Sequence, residues 1–216
     1  MPYERTHIFT FNYFHIPHRA MKRAFDILAS ATALLLLLPL FLLLAIVVAF
    51  SSPGAALFRQ VRVGKEGRSF SLLKFRTMRP GSEAKGQITV GGRDKRITGV
   101  GYVLRKTKLD ELPQLLNVLI GDMSIVGPRP EVPKYVALYT AEQREVLSVR
   151  PGITSLASIA YVNENEVLGR SSDPERTYIE EVMPAKLALD LRYTKEKGLA
   201  RDLGIIFGTL RRLFVG

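Results

Sequence analysis

The sequence contains no cysteine, and its three histidines, His7, His15 and His18, all lie near the N-terminus. Without cysteine the chain can form no disulfide, no thiolate nucleophile and no Cys-ligated zinc site. A His-based zinc site or a Ser-His-Asp triad would have to be built from the N-terminal arm. Acid–base or nucleophilic chemistry therefore falls to carboxylates, lysine, tyrosine, serine or threonine.

Acidic residues are also scarce: 20 Asp and Glu stand against 31 Lys and Arg, which gives a formal net charge of +11. This balance predicts anionic partners, namely nucleic acid, acidic lipid headgroups or phosphorylated substrates. A membrane-tethered nucleic-acid-binding module is one hypothesis. Against it, the sequence carries no nucleic-acid recognition motif, and its basic residues are spread over several segments. We therefore expect no nucleic-acid partner.

One segment lacks charge altogether: residues 27–50, ILASATALLLLLPLFLLLAIVVAF. It exceeds the roughly 20 residues that a helix needs to cross a bilayer, which predicts membrane insertion. Lys and Arg favour the cytoplasmic side of a membrane, and here they flank both ends of the segment. The flanking residues are Arg19, Lys22 and Arg23 before it, and Arg59, Arg62 and Lys65 after it.

Pro39 lies in the middle of this apolar segment. It removes one backbone donor, so it kinks or breaks a helix. Together with the basic flanks, it favours a re-entrant helix that returns to the side it entered from. A kinked spanning helix is the alternative. The preceding arm, THIFTFNYFHIPHR, could lie along the headgroups or be a disordered leader, since Met21 is a second candidate start.

After this segment the pattern predicts an α+β domain that is mainly helical. FRQVRVGKEGRSFSLLKFRTM indicates a strand pair with a turn at GKEG. Helical periods occur in residues 102–120, in KYVALYTAEQREVLSV and in SDPERTYIEEVMPAKLALDLRYTKEKG, the last with a joint at Pro184. The segment LARDLGIIFGTLRRLF is predicted to be an amphipathic helix. GDMSIVGPRPEVP is interpreted as a loop, RPGIT as a turn, and Asp190 and Asp202 as ion-pair residues of their helices.

Two adjacent carboxylates, Asp110 and Glu111 in KTKLDELPQLL, permit two interpretations. Acidic residues and proline are common where a helix begins, so the pair could simply start a helix well. Alternatively, the helix N-terminus and nearby Arg105, Lys106 and Lys108 lower the pKa of Asp110 and keep it ionised. An ionised aspartate is a nucleophile toward phosphorus. Beside a membrane segment, this chemistry indicates a phosphorylated lipid substrate.

Three stretches carry a resemblance: FRQVRVGKEGRSFSLLKFRTM, ITGVGYVLRKTKLDELPQLLNVLIGDMSIVGPRP and RPGIT. From about Lys22 to the C-terminus, the chain closely resembles the bacterial sugar transferase family, the monotopic polyprenyl-phosphate phosphoglycosyl transferases. The resemblance implies that Asp110 attacks a nucleoside diphosphate sugar, usually a UDP-sugar, and that UMP leaves. Undecaprenyl phosphate then takes the phosphosugar from the aspartyl intermediate. This is the first membrane step of glycoconjugate or polysaccharide synthesis, exopolysaccharide included.

The resemblance also implies the ligands of the site. Glu111, with Asp110 beside it, would hold Mg²⁺ that also grips the substrate phosphates. Arginine suits phosphate because its planar fork takes two oxygens at once. Lys74 and Arg76 are charge partners either of Glu111 or of a phosphate, and the sequence leaves this choice open. The candidate phosphate- or substrate-binding residues are Lys74, Arg76, Arg105, Arg129 and Arg150.

The architecture implied by the resemblance has three parts: an N-terminal arm (1–20), a re-entrant membrane helix broken at Pro39 (21–51), and a catalytic domain (52–216) with short strands and amphipathic interfacial helices. The active site would lie at the cytoplasmic face of the bacterial inner membrane, where nucleotide sugar, undecaprenyl phosphate and anionic lipids are the expected partners. A homodimer is left open. A catalytically silent scaffold is the alternative, against which stand the intact Asp-Glu pair and both family arginines.

Two departures from the family pattern concern the membrane helix and the sugar. Leu38 precedes the proline where many relatives have serine, so no hydroxyl is present there to bond the freed carbonyls. After RPGIT the chain continues as SLASIAYVNENEVLG, where much of the family has a Gly-Trp pair. The identity of the sugar and the glycan pathway are therefore not assigned from the sequence.

Overall fold

The computed structural model describes residues 18–82, 86, 88–91, 94–196 and 198–215. The predicted arm is residues 1–20, and its first 17 residues lie outside the described ones. The helices are α1 (His18–Ser51), α2 (Gly99–Lys106), α3 (Gln114–Ile120), α4 (Pro133–Val136), α5 (Leu156–Ala160), α6 (Glu164–Gly169), α7 (Pro174–Thr177), α8 (Met183–Lys195) and α9 (Leu199–Val215). The strands are β1 (Leu57–Val63), β2 (Ser69–Phe75), β3 (Ser124–Val126) and β4 (Gly152–Thr154). Helix predominates, as the sequence predicts.

Helix α1 is the apolar segment, and it runs without interruption through Pro39. The helix therefore does not end at this proline, and the predicted re-entrant break stays a prediction. A proline inside a long helix removes a single hydrogen bond and is compatible with a bend. Among the described residues, α1 alone is long and apolar enough to cross a membrane, and only 6% of its most apolar window is buried. Such exposure excludes a core helix of a soluble fold.

The N-terminal end of α1 is bound to the folded domain. The guanidinium of Arg23 donates to the carbonyls of Val118, at 2.6 Å, and Leu119, at 2.8 Å, near the end of α3. Lys22 forms an ion pair of 2.6 Å with Asp202 of α9. Asp202 therefore is an ion-pair residue, as predicted, but its partner comes from α1 and not from its own helix.

The C-terminal end of α1 is held by Arg76, which follows β2. Its guanidinium donates to the carbonyls of Val48, at 3.0 Å, Ser52, at 2.5 Å, and Ala55. The last carbonyls of a helix have no partner within the helix, so a buried arginine fork satisfies them. The guanidinium is thus used at the end of α1, and among the described residues it makes no hydrogen bond or ion pair with Glu111, so its position does not support the predicted role beside Glu111 or a substrate phosphate.

The predicted strand pair is confirmed: β1 and β2 are antiparallel and in register from Leu57 opposite Phe75 to Val63 opposite Ser69. A second sheet was missed. Strand β3 pairs in parallel with β4, in segments predicted to be a loop and a turn. Three-residue strands leave no detectable apolar alternation. Glycine permits this pairing, since a Cβ at Gly152 would lie 2.1 Å from the backbone nitrogen of Gly127.

Two predicted helices are interrupted. Residues 102–120 contain the end of α2 and all of α3, separated at Lys108, whose φ is +58°. The segment 134–149 holds the end of α4 and a 3₁₀ turn over Gln143–Ser148. There, Thr140 and Gln143 exchange side-chain-to-backbone hydrogen bonds of 3.0 and 3.2 Å. Such a capping pair starts a new helical turn and so ends the preceding one.

The helices predicted from residue 172 onward are confirmed. A π-helical turn over Tyr178–Val182 leads into α8, and Pro184 occupies the first turn of that helix, where its missing N–H costs nothing. Helix α9 is amphipathic, with Ile205 buried while Leu203 and Phe207 are exposed. The largest core cluster joins β1, α4, the 3₁₀ turn, the π-helical turn and α8. This core supports the loop that carries Arg129.

Candidate active site

The adjacent carboxylates lie in a tight turn between α2 and α3. Lys108 is in the left-handed region, which is uncommon for a residue with a side chain and is enriched at functional sites. A single 3₁₀ turn, Leu109–Glu111, follows it. Asp110 is 6% exposed, and the side chain of Glu111 is 11% exposed. Burial of two neighbouring carboxylates is unfavourable unless cations compensate them, so the pair does more than begin a helix.

Asp110 is buried among cations, yet its Oδ1 has no hydrogen-bond partner among the described residues. Burial raises the pKa of Asp110, Lys74 opposes that rise, and the neighbouring Glu111 adds to it. The net direction is upward, so the predicted lowering of this pKa is wrong. Nearby charges alone would lower this pKa, but the loss of water around the carboxylate outweighs them here.

Glu111 is held ionised by an arginine fork. Arg129 Nη2 lies 2.5 Å from Oε1 and Nη1 lies 3.3 Å from Oε2, which is a two-bonded contact. The Nζ of Lys74 lies 3.5 Å from the same Oε1. Burial acts to raise the pKa of Glu111, but Arg129 and Lys74 outweigh it and hold this pKa well below the usual range. Of the two predicted roles for Lys74, partnership with Glu111 is the observed one.

The pKa of the Lys74 ammonium group is also shifted. Burial lowers the pKa of Lys74 to about 8, and attraction to Glu111 opposes part of that shift. The amine therefore remains mainly protonated at neutral pH and adds a positive charge beside both carboxylates. An ammonium group in a site shielded from water stabilises phosphoryl charge more strongly than one on the surface.

Arg105 is positioned by two threonines. Its Nε donates to Thr77 Oγ1 at 2.8 Å, and its Nη1 donates to Thr89 Oγ1 at 3.0 Å. One helical turn earlier, α2 packs directly on the backbone of Thr77, where a Cβ at Gly101 would lie 2.1 Å from the carbonyl oxygen. The positive charge of Arg105 favours ionisation of Asp110. Arg105 therefore belongs to the cluster, as predicted.

Arg150 is not part of this cluster. Its side chain is exposed, and its Nε donates to the carbonyl of Gly121 at the end of α3, at 2.8 Å. The prediction that it binds substrate is therefore not supported by its position. The four residues that do meet around Asp110 and Glu111 are Lys74, Arg105, Lys108 and Arg129.

Sequence reasoning missed the residues that support Arg129. Asp190 of α8 accepts a hydrogen bond of 3.2 Å from the backbone N–H of Arg129, so it is not a helix ion-pair residue. Next along the loop, Glu131 pairs with Arg62 at 3.1 Å and accepts the phenol of Tyr178. These partners come from strand β1, the π-helical turn and α8. No local spacing links them, so only the tertiary fold reveals them.

Asp190 makes a testable contribution to stability. Burial raises the pKa of Asp190 to about 6 from 3.8, against the bond from the Arg129 amide. The folded state thus binds the extra proton more tightly. Stability from this group is present below about pH 4 and is lost as the pH rises through about 6. Asp190→Asn stays neutral, so we expect its free energy of unfolding, relative to that of wild type, to rise by about 2 kcal/mol from pH 4.5 to pH 7.5.

Urea unfolding of both proteins in detergent at the two pH values measures this difference. Asp173→Asn, at an exposed helix cap, is the control and should show no such gain. A free-energy difference between Asp190→Asn and wild type that does not change with pH would contradict the assignment.

A divalent cation would find only part of its ligand set in the protein. Among the described residues, no three His, Asp or Glu side chains cluster as metal ligands. Mg²⁺ commonly takes one or two carboxylates and completes its shell with water and substrate phosphates. Asp110 offers a buried oxygen without a partner, and Glu111 lies next to it. The adjacent pair therefore fits Mg²⁺ that arrives with a phosphorylated substrate.

Comparison with known proteins agrees with this chemistry. Residues 17–216 match the family described as Bacterial sugar transferase. The chain is 40% identical to the UDP-glucose:undecaprenyl-phosphate glucose-1-phosphate transferase of Caulobacter vibrioides, over 89% of the chain and 69% of that protein. It is 39% identical to the exopolysaccharide production protein ExoY of Rhizobium meliloti, over 88% of the chain and 83% of that protein.

A third relative is longer. The UDP-N-acetylgalactosamine-undecaprenyl-phosphate N-acetylgalactosaminephosphotransferase of Aeromonas hydrophila is 39% identical over 91% of the chain, and the chain spans 44% of that protein. The family match covers nearly the whole chain. The chain therefore is an enzyme of the bacterial sugar transferase family, which confirms the resemblance seen in its sequence.

Proposed function

We propose that the enzyme transfers a phosphosugar from a nucleoside diphosphate sugar, with uridine as the expected nucleoside, to undecaprenyl phosphate. The observation that carries this proposal is the buried carboxylate of Asp110, whose Oδ1 has no hydrogen-bond partner among the described residues although three cations, Lys74, Arg105 and Lys108, lie near it. A carboxylate that lacks hydrogen bonds keeps its electron pair available for attack. The surrounding ammonium and guanidinium groups can stabilise the charge of a phosphoryl group in transfer.

The reaction proceeds in two displacements at one phosphorus atom. A carboxylate oxygen of Asp110 bonds to the sugar-bearing phosphorus, and the bond to the bridging oxygen breaks, so that UMP leaves with the electron pair. The lipid phosphate then attacks the same phosphorus, and the pair of the Asp110–phosphorus bond returns to the carboxylate. The product is a polyprenyl-diphosphate-sugar. The raised pKa of Asp110 makes the carboxylate more basic than a solvated one, which favours its attack.

The residues around Asp110 orient the neighbouring carboxylate and neutralise the charge of the substrate phosphates. Arg129 and Lys74 fix Glu111, so this carboxylate lies beside the nucleophile without competing for phosphorus. Arg105, held by two threonines, keeps donor capacity for a phosphate oxygen. Mg²⁺ held by Glu111 and Asp110 would supply charge neutralisation of the diphosphate when bound. Arg129 and Lys74 thus act through Glu111, whereas Arg105 acts on the substrate directly.

The membrane helix is proposed to be re-entrant. Both of its ends are bound by the same domain: Arg23 to α3 at one end and Arg76 to Val48 at the other. One folded domain cannot lie on both sides of a hydrocarbon core about 30 Å thick. Because both ends of α1 are bound to this domain, we infer that the helix enters and leaves the bilayer on the same side, the cytoplasmic face of the inner membrane. There the buried site can reach the phosphate of a lipid acceptor.

A screen of nucleotide sugars tests this function. Purified protein in detergent, with Mg²⁺ and undecaprenyl phosphate, should release UMP and form a lipid-linked sugar from at least one UDP-sugar. The panel should include UDP-glucose and UDP-N-acetylgalactosamine, because two relatives differ in this substrate. Omission of the lipid is the control and should limit release to about one equivalent per enzyme. Absence of UMP with every donor would refute the proposal.

A further inference from the structure

Among the described residues, two complementary polar atoms near the start of α3 have no hydrogen-bond partner. One is Oδ1 of Asp110, an acceptor, and the other is Nε2 of Gln114, a donor. Gln114 is only 1% exposed, so bulk solvent does not reach its amide. Buried polar groups in folded proteins are nearly always hydrogen-bonded, and an exception requires an explanation. The proposed function assigns a role to Asp110 but none to Gln114.

The chain places the two residues one helical turn apart. After the 3₁₀ turn that carries Asp110, Leu112 and Pro113 have helical backbone angles, and α3 begins at Gln114. Residues four apart on a helix are neighbours on its surface. Asn117, three residues further, completes a buried polar row on this stretch. The row therefore runs from the reacting carboxylate toward strand β2.

Asn117 shows what a purely structural member of this row does. Its Oδ1 accepts from the backbone N–H of Leu73 at 2.9 Å, and its Nδ2 donates to the carbonyl of Ser71 at 2.8 Å. Both ends of that amide are thus used to attach α3 to β2. The Nε2 of Gln114 has no such partner among the described residues. A structural role therefore explains Asn117 and leaves the amide nitrogen of Gln114 unexplained.

We propose that Gln114 is a positioning residue for Asp110, an inference that rests on the proposed function. Its amide donates to Oδ1 of Asp110 when substrate is bound, and Oδ2 is the oxygen that attacks phosphorus. Oδ1 then becomes the carbonyl oxygen of the aspartyl phosphosugar. The hydrogen bond orients the other oxygen toward phosphorus in the first displacement. In the second displacement, it stabilises the negative charge that returns to the carboxylate.

Gln114→Met tests this role, because methionine has a similar shape and no donor. Replacing an unpaired buried amide by an apolar group is neutral or stabilising. We therefore expect an unchanged or higher melting temperature. The rate constant for phosphosugar transfer at saturating donor should fall about tenfold or more, as expected for one lost charge-assisted hydrogen bond. The KM for the donor should stay within about twofold, since Gln114 acts on Asp110 and not on the nucleotide.

Two further variants separate positioning from structure. Gln114→Glu keeps the shape but replaces the donor with an acceptor, and it should lose at least as much rate. Asn117→Leu is the structural control: it removes the bonds to β2 and should lower the melting temperature. If Gln114→Met transfers at the wild-type rate, or if its rate falls only together with its melting temperature, the inference is overturned. If wild type releases no UMP from any donor, the proposed function itself fails.

Discussion

Replacing Asp110 by asparagine is expected to reduce UMP release by on the order of a thousandfold or more, which is typical for loss of a covalent nucleophile. The amide has nearly the same shape, so binding of donor and Mg²⁺ through the other residues can continue, but no anionic oxygen remains to attack phosphorus. The fold should persist, because burial already disfavours the ionised form of Asp110. The melting temperature is therefore expected to stay equal to that of wild type or to rise.

Initial rates of UMP release at saturating donor measure this effect. The matched control is Asp173→Asn, which removes a carboxylate from another helix N-terminus at an exposed site and should leave the rate unchanged. A variant of Asp110 that kept a tenth of the wild-type rate would show that another group attacks the phosphorus, and the assignment of the nucleophile would fall.

Replacing Arg129 by lysine is expected to cost about a hundredfold in rate, although the positive charge is kept. The guanidinium spans both oxygens of Glu111, with contacts of 2.5 and 3.3 Å, whereas an ammonium group can approach only as a point charge. Glu111 would then be held mainly by Lys74 and could turn toward the nucleophile. Loss of a single well-placed donor in a catalytic site reduces turnover by roughly 10² to 10³.

The rate and the Mg²⁺ concentration for half-maximal activity should be measured together. Without the two-bonded contact to Arg129, Glu111 should bind Mg²⁺ with a different affinity. We therefore expect both the rate and the Mg²⁺ concentration for half-maximal activity to change. Arg59→Lys, an exposed substitution on β1, serves as the control for an arginine-to-lysine change. A rate of Arg129→Lys within threefold of wild type would mean that the two-bonded contact has no role in the reaction.

The parts of the site that the sequence predicts are those set by neighbours along the chain. Asp110, Glu111 and Arg105 lie within seven residues, and the strand pair with its GKEG turn is equally local. The two-strand parallel sheet was missed because each of its strands has three residues and its partner is about 28 positions away. Local sequence patterns thus identify the reacting groups, but they do not reveal the tertiary contacts that hold these groups in place.

The errors in the site have one physical origin, which is burial by distant segments. The pKa of Asp110 was expected to fall because nearby charges are visible in the sequence, whereas the packing that raises it is not. The sequence predicts Arg76 as a partner of Glu111 or of a phosphate, yet its guanidinium binds the end of α1. Asp190 contacts Arg129 from 61 positions away. Each case required the tertiary structure to decide what a charged side chain faces.

The most direct test of the account is the mass of the protein after mixing with a reactive UDP-sugar and Mg²⁺ in the absence of lipid acceptor. Wild type is expected to gain the mass of one phosphosugar, which peptide mapping should place on Asp110 and which undecaprenyl phosphate should then remove. A protein that releases UMP and forms the lipid product, but carries this adduct on another residue or never carries it, would contradict the account.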